Sequence, residues 1–264
     1  MPELPEVQTV VDGLNSLALP CEALALCELR PGTVQVSAEV RWPLRFTHAT
    51  RRGKYILLHT DTDLRLLAHL RMTGKFVATQ PLDSAATHVR AVLELAGGGR
   101  LWFVDPRTFG TLELLTAAQA ESRLAGLGPE PLEKSFDSHY LQAIFQKRKA
   151  PVKNLLLRQD IIAGLGNIYV CEILHEAGID PRREGRSLDV DELERLVSAT
   201  RDILSLAIAH NGTTIDDFRR VDDKTGEFQR MLRVYGKSVC DCGAPVIRIV
   251  QAGRGTWWCP SCQH

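Results

Sequence analysis

The chain has 264 residues, 44% hydrophobic and 24% charged, and its 32 basic residues balance 32 acidic ones. That length suits one large domain or two modest ones with a buried core, and the composition excludes disorder, collagen and coiled coil. No apolar run approaches the roughly 18 residues of a membrane span, and Met1–Val7 (MPELPEV) has prolines and glutamates where a secretory signal would be basic and then apolar.

Val7, Val10, Val11, Leu14 and Leu17 recur at helical spacing and predict a helix soon after Pro5. From about Ala23 to Leu115 the texture changes to short β-type runs: Tyr55–His59, Leu64–Leu70, Val89–Leu95 and Leu101–Val104. Turn signals such as Gly97-Gly98-Gly99 and Asp105-Pro106 separate them. Closely spaced strands with no helices between them predict an antiparallel sandwich or barrel. From Thr116 the pattern is helical. Asn154–Ile161 and Ile168–Ala177 read as two helices joined by Ala163-Gly164-Leu165-Gly166-Asn167. Leu193, Leu196, Val197, Ile203, Leu204, Ala207 and Ile208 mark a longer helix, ended by Asn211-Gly212. A polar loop, Val221–Gln229, leads into a short β-rich cysteine module. The expected division is a β domain at 1–115, a helical domain at 116–218 and a terminal module at 219–264.

Zero net charge argues against a nucleic-acid partner, but the charges are unevenly spread. Arg41, Arg45, Arg51, Arg52 and Lys54 follow one another with no acid between them, as do Lys147, Arg148, Lys149 and Lys153. Each run is either solvated surface or part of a face for a polyanion.

The seven cysteines are an odd number in a chain without an export signal, which favours a reducing compartment over a disulfide framework. Cys240, Cys242, Cys259 and Cys262 crowd the C-terminus as a CxC and a CxxC pair. Two close pairs of thiolates suit one tetrahedral zinc, with reduced free thiols as the alternative. The CxC pair is one residue shorter than the usual knuckle. Gly164-Leu165-Gly166-Asn167 between two helices is a candidate anion turn, weak by itself and stronger beside the basic run at 147–153.

Six blocks then occur in one order: MPELPEV at Met1–Val7, RRGKY at Arg51–Tyr55, HLRMTG at His69–Gly74, DPRTFG at Asp105–Gly110, GLGNIYVCE at Gly164–Glu172, and the cysteine hairpin. Together they resemble the formamidopyrimidine-DNA glycosylases, bacterial enzymes that excise oxidised purines. The resemblance spans essentially the whole chain. The MPELPE start separates it from the endonuclease VIII group, which typically opens PEGPE.

The resemblance implies an α+β protein: an N-terminal antiparallel β-sandwich with a flanking helix, then a helix–two-turn–helix domain with a zinc β-hairpin, and DNA in the groove between. It implies that Met1 is removed and that the Pro2 amine attacks the sugar as nucleophile, forming a Schiff base. Glu3 matches the general acid/base, Lys54 the second catalytic cation, and Arg254 the hairpin residue tied to δ-elimination. Met72, Arg107 and Phe109 match the residues that fill the gap left by a flipped nucleotide. His88, Arg148, Lys153 and Asn167 match contacts to the DNA backbone, and Lys224 a contact in the loop over the flipped base. Cys240, Cys242, Cys259 and Cys262 would hold one structural zinc. The expected partner is double-stranded DNA bearing oxidised bases or abasic sites, met by a monomer in the bacterial cytoplasm. The rivals are an oxidised-pyrimidine glycosylase of the endonuclease VIII kind and a non-catalytic binder of damaged DNA. The CxC pair, a shorter spacer after Tyr235-Gly236, and DPRTFG in place of DPRRFG depart from the family pattern.

Overall fold

The computed structural model describes residues 1–78, 80, 83–213, 221 and 226–264. The chain divides into two compact units, one made of residues 1–126 with 211–227 and the other of 127–210 with 228–264.

The first unit opens with α1 (Leu4–Leu17), which has proline in its first turn, where the missing amide donor costs nothing. Its helical-period residues Val7, Val10, Val11 and Leu14 are buried, as their spacing predicts. Among the described residues nine strands follow: β1 (Cys21–Glu28), β2 (Val34–Val36), β3 (Leu44–Arg52), β4 (Tyr55–Thr60), β5 (Leu64–His69), β6 (Lys75–Val77), β7 (Val89–Leu95), β8 (Arg100–Val104) and β9 (Thr111–Thr116). They pair in the order β2-β9-β5-β4-β3-β1-β7-β8-β6. The pairing is antiparallel except between β2 and β9, which run parallel. The alternation in Tyr55–Thr60 is realised as alternating burial, with Ile56, Leu58 and Thr60 inward. The sheet folds over on itself. The ring of Phe103, on β8 near one end of the strand order, lies 2.7 Å from where a Cβ would stand on Gly110, just ahead of β9 near the other end. Phe46, Leu58, Leu66, Leu93, Leu101, Phe103 and Leu114 share one apolar cluster with the inner face of α1. The helix α2 (Ala117–Leu124) follows, capped by the Thr116 hydroxyl, which accepts from the Gln119 amide.

The second unit holds α3 (Ser138–Phe145), α4 (Val152–Leu156), α5 (Asn167–Glu176) and α6 (Val190–Ala209), followed by the hairpin β10 (Ile247–Gln251) and β11 (Arg254–Trp258). The long helix α6 starts at a capping box in which Asp189 and Glu192 each accept the other's backbone amide. Its buried stripe is Leu193, Leu196, Val197, Ile203, Leu204 and Ala207. The helix expected over Asn154–Ile161 is corrected to α4, which ends at Leu156. Gln159 explains the stop. Its side chain accepts from the Gly164 amide at 2.9 Å and donates to the Leu165 carbonyl at 2.8 Å, so the segment turns instead of continuing. Gly164 has φ +88, a conformation open to glycine and costly for other residues.

The whole is α+β, with a β-sheet unit, a helix–turn–helix region and a terminal β-hairpin, as the sequence predicts. Among the described residues no helix is long and apolar enough to cross a membrane.

Candidate nucleic-acid interface and metal site

Pro2 and Glu3 lead into α1 and are both buried, while Met1 ahead of them is 42% exposed. Glu6, buried one turn later, uses both carboxylate oxygens. Its Oε2 accepts from the Glu3 amide at 2.8 Å, and its Oε1 accepts from the Thr213 amide at 2.7 Å and hydroxyl at 3.0 Å. A Cβ on Gly212 would stand 2.6 Å from that oxygen, so only glycine lets the backbone come so close. The helix start is thus pinned by a carboxylate at its positive end. Lys54 follows Gly53 in the tight turn between β3 and β4, and its side chain is buried. Arg51 ties that turn to the helix, donating to the Gly53 carbonyl at 3.1 Å and to Gln8 Oε1 at 3.0 Å.

Met72, Arg107 and Phe109 lie on two loops of the same unit. Met72 is 40% exposed and Phe109 53%, so neither is core. The Arg107 guanidinium sits 5.1 Å from the Phe109 ring centre, in cation–π contact. Asp105, fully buried, organises both loops. Its Oδ1 accepts from the Thr73 hydroxyl at 2.5 Å and the Arg107 amide at 3.2 Å, and its Oδ2 accepts from the Gly110 amide at 2.7 Å. Arg90 donates to the Asp105 carbonyl at 2.7 Å, and the half-buried His88 accepts the Asp105 amide on its own carbonyl at 2.9 Å. Two residues near the tips have left-handed backbones, Arg71 (φ 53) and Thr108 (φ 60). Arg71 is held there by His69, whose Nδ1 accepts its amide at 3.0 Å. Burial, with Arg71, Lys54 and Arg123 nearby, pushes the His69 imidazole down to about 3, so it is neutral at physiological pH.

In the second unit, Arg148 is half-buried, and Arg254 is exposed at the start of β11. The turn before it, Ala252-Gly253, is left-handed at both residues (φ 46 and 73), as a two-residue hairpin connection requires. Lys153 is fully buried, and its ammonium faces the hairpin instead of solvent. It donates to the Gly255 carbonyl at 3.1 Å and the Thr256 hydroxyl at 2.6 Å. Asn167, at the start of α5, donates to the same Gly255 carbonyl at 2.9 Å. Two side chains from separate helices therefore end on the residue next to Arg254. Lys224 lies outside the described residues.

The Sγ atoms of Cys240, Cys242, Cys259 and Cys262 all lie within 4.8 Å of one another, with 3.9 Å between Cys240 and Cys262 and 3.6 Å between Cys242 and Cys259. A tetrahedral zinc with bonds near 2.3 Å has sulfur–sulfur edges of about 3.8 Å. The shortened CxC pair thus still closes into a site of the right size and donor type for one structural zinc. Glu172, buried in the middle of α5, fixes the chain entering the module. Its carboxylate accepts the backbone amides of Arg233 at 2.7 Å, Val234 at 3.1 Å and Tyr235 at 2.7 Å. Burial pushes this carboxyl above the usual carboxylate range, against the pull of the three amides.

Asp105, Glu172, Thr73 and His69 were assigned no role in the site from the sequence. Asp105 figured only as a turn signal and a member of its motif block, and the other three only as members of theirs. An acid inside the apolar run Asn167–Glu176 has to find buried donors, and Glu172 does.

Three family models match the chain in order. The formamidopyrimidine-DNA glycosylase N-terminal domain covers residues 1–112, the formamidopyrimidine-DNA glycosylase H2TH domain 127–219, and the zinc finger found in FPG and IleRS 241–264. The chain belongs to the formamidopyrimidine-DNA glycosylase family. It is 40% identical over 292 residues to the formamidopyrimidine-DNA glycosylase of Cereibacter sphaeroides (strain ATCC 17029 / ATH 2.4.9), covering all of both chains. It is 38% identical over 278 residues to that of Xanthomonas oryzae pv. oryzae, again over all of both. The crystal structure of the MutM (Fpg) protein of Thermus thermophilus superposes with a TM-score of 0.89 at 38% identity, covering 99% of this chain and 98% of that one. A variant of Lactococcus lactis Fpg, in complex with DNA containing Fapy-dG, superposes with a TM-score of 0.91 at 35% identity over the full length of both.

Proposed function

We propose that the protein is a base-excision repair enzyme, a bifunctional DNA glycosylase and abasic-site lyase that removes 8-oxoguanine and formamidopyrimidines from duplex DNA. The observation that carries this is the exposure of Met72 and Phe109 beside Arg107. Two large apolar side chains held out in water on buttressed loops have no use in a monomer's own core. They suit an enzyme that pushes a nucleotide out of a duplex and occupies the gap, with the guanidinium free to hydrogen-bond the orphaned base.

In this reading Pro2 is the nucleophile. Its nitrogen is acylated by Met1 in the translated chain, so Met1 must leave first. The freed secondary amine, with an ordinary pKa near 8, bonds to the sugar C1′ as the bond to the damaged base breaks. Ring opening gives a cationic iminium, which acidifies the C2′ proton and so couples base loss to β- and then δ-elimination. Glu3 supplies and accepts protons beside the nucleophile, and Lys54 assists base loss. Arg254, steadied through Gly255 by Lys153 and Asn167, acts on the DNA from the zinc hairpin. Arg148, His88 and Asn167 address the backbone and carry no sequence preference. The protein would work as a monomer on chromosomal DNA in the bacterial cytoplasm.

Borohydride trapping on a duplex with one 8-oxoguanine, read by intact mass, tests the scheme. The expected product is a covalent adduct at Pro2 on a chain lacking Met1, greatly reduced in Pro2→Gly. Tight binding with no adduct on either 8-oxoguanine or oxidised-pyrimidine duplexes would overturn it in favour of a non-catalytic binder.

A further inference from the structure

We propose that His175 is a positioning residue of the zinc site, donating its Nε2–H to the Cys240 sulfur and holding that ligand in place. His175 lies in the last turn of α5, and its Nε2 is 3.2 Å from Cys240 Sγ, within range for an N–H···S bond. It is not itself a ligand, because among the described residues the mutually close donor set consists of the four cysteines.

The tautomer follows from the surroundings. A zinc-bound thiolate has no proton and can only accept, so the nitrogen facing it must carry the hydrogen. The other nitrogen, Nδ1, is buried with no hydrogen-bond partner. A proton there would leave a buried donor unmet and set a nitrogen lone pair against sulfur lone pairs. A proton on Nε2 makes one bond and leaves only a bare acceptor. Zinc loading therefore selects the Nε2–H form.

Only Asp241 separates Cys240 from Cys242, so the knuckle has one fewer backbone amide to offer its sulfurs. The Cys242 amide reaches the Cys240 sulfur, and His175 brings a second donor to it from outside the knuckle. Four thiolates on a divalent ion also leave excess negative charge, which N–H donors disperse. α5 is built to deliver one. It meets the hairpin at Gly255 through Asn167, the chain entering the module through Glu172, and the metal ligand through His175.

Two variants and one spectrum test this. His175→Phe keeps a planar ring without a donor, and His175→Gln keeps an N–H. Loss of an outer hydrogen-bond partner typically lowers metal affinity about ten- to a hundredfold. Zinc release to 4-(2-pyridylazo)resorcinol should accelerate by that order in His175→Phe, and the thiolate-to-metal charge-transfer bands of the cobalt-substituted protein should shift. His175→Gln should stay near the parent in both. Unchanged release and an unchanged cobalt spectrum in His175→Phe would overturn the proposal. So would equal losses in both variants, which would assign the effect to packing. Should His175→Phe fail to fold, ¹⁵N-histidine NMR of the zinc-loaded parent decides: a protonated Nε2 supports the assignment, and an unprotonated Nε2 overturns it.

Discussion

The Thr73 hydroxyl donates to Asp105 Oδ1 across 2.5 Å, joining the loop that carries Met72 to the loop that carries Arg107 and Phe109. One carboxylate therefore sets the spacing of all three residues proposed to fill the gap in the duplex. Thr73→Val keeps the shape and removes the donor. It should cost about 1 kcal/mol in urea unfolding. It should also slow 8-oxoguanine excision on the order of tenfold, through misplacement of the loops. Cleavage at a preformed abasic site, which needs less help from those loops, should fall less. Equal losses on the two substrates would refute the link.

Stability should decline on mild acidification because of His69. Its folded value of about 3 lies below the ordinary 6.5, so the unfolded chain binds a proton that the folded protein refuses. The contribution is fully present above pH 6.5 and is lost as pH falls from 6.5 towards 3, at about 1.4 kcal/mol per pH unit. His59, held down to about 4 by partial burial with His48 and Arg65 nearby, adds to the same trend. His69→Asn can still accept the Arg71 amide but does not titrate. Denaturant midpoints compared at pH 7 and pH 5 should fall less for His69→Asn than for the parent.

Arg148 and Lys153 belong to one basic run and should behave differently on DNA. Arg148→Ala should reduce the slope of log affinity against log salt by about one, the signature of a lost phosphate contact. Lys153→Met should leave the slope unchanged. Its ammonium is buried against Gly255 and Thr256, so the loss should appear as about 1–3 kcal/mol of stability.

Glu172→Gln should uncouple the zinc module from α5. The carboxamide turns an N–H₂ towards backbone amides that need acceptors, leaving buried donors unmet at about 1–3 kcal/mol. Hydrogen exchange at Arg233, Val234 and Tyr235 should rise before exchange elsewhere in the second unit. Protection at these amides equal to the parent's would contradict this.

The sequence was legible where burial follows a regular period. β4 and α6 show their inward residues directly, at spacings of two and of three to four. β3 was hidden. It is rich in arginine, and an irregularity between Phe46 and His48 shifts its inward phase from Leu44 and Phe46 to Ala49, so no alternation survives in the string. The loops of the site were legible as motif blocks, but not what holds them. A basic run does not say which lysine points inward, and Lys153 is decided by a hairpin 102 residues away. A single histidine on a helix gives no sign that a cysteine 65 residues later will meet it.

The bond from Glu6 to Thr213 spans 207 residues of chain, and Val221 packs against Gly13 from just as far along it. During synthesis the start of the first helix leaves the ribosome long before the residues that complete its surroundings. Until they arrive, the Glu6 carboxylate must be solvated or protonated, and the terminus bearing the proposed nucleophile lacks its final support. Products that end prematurely, even those with every strand of the sheet, would keep this vacancy. The terminus proposed to cut DNA is therefore finished only once nearly the whole chain has been made.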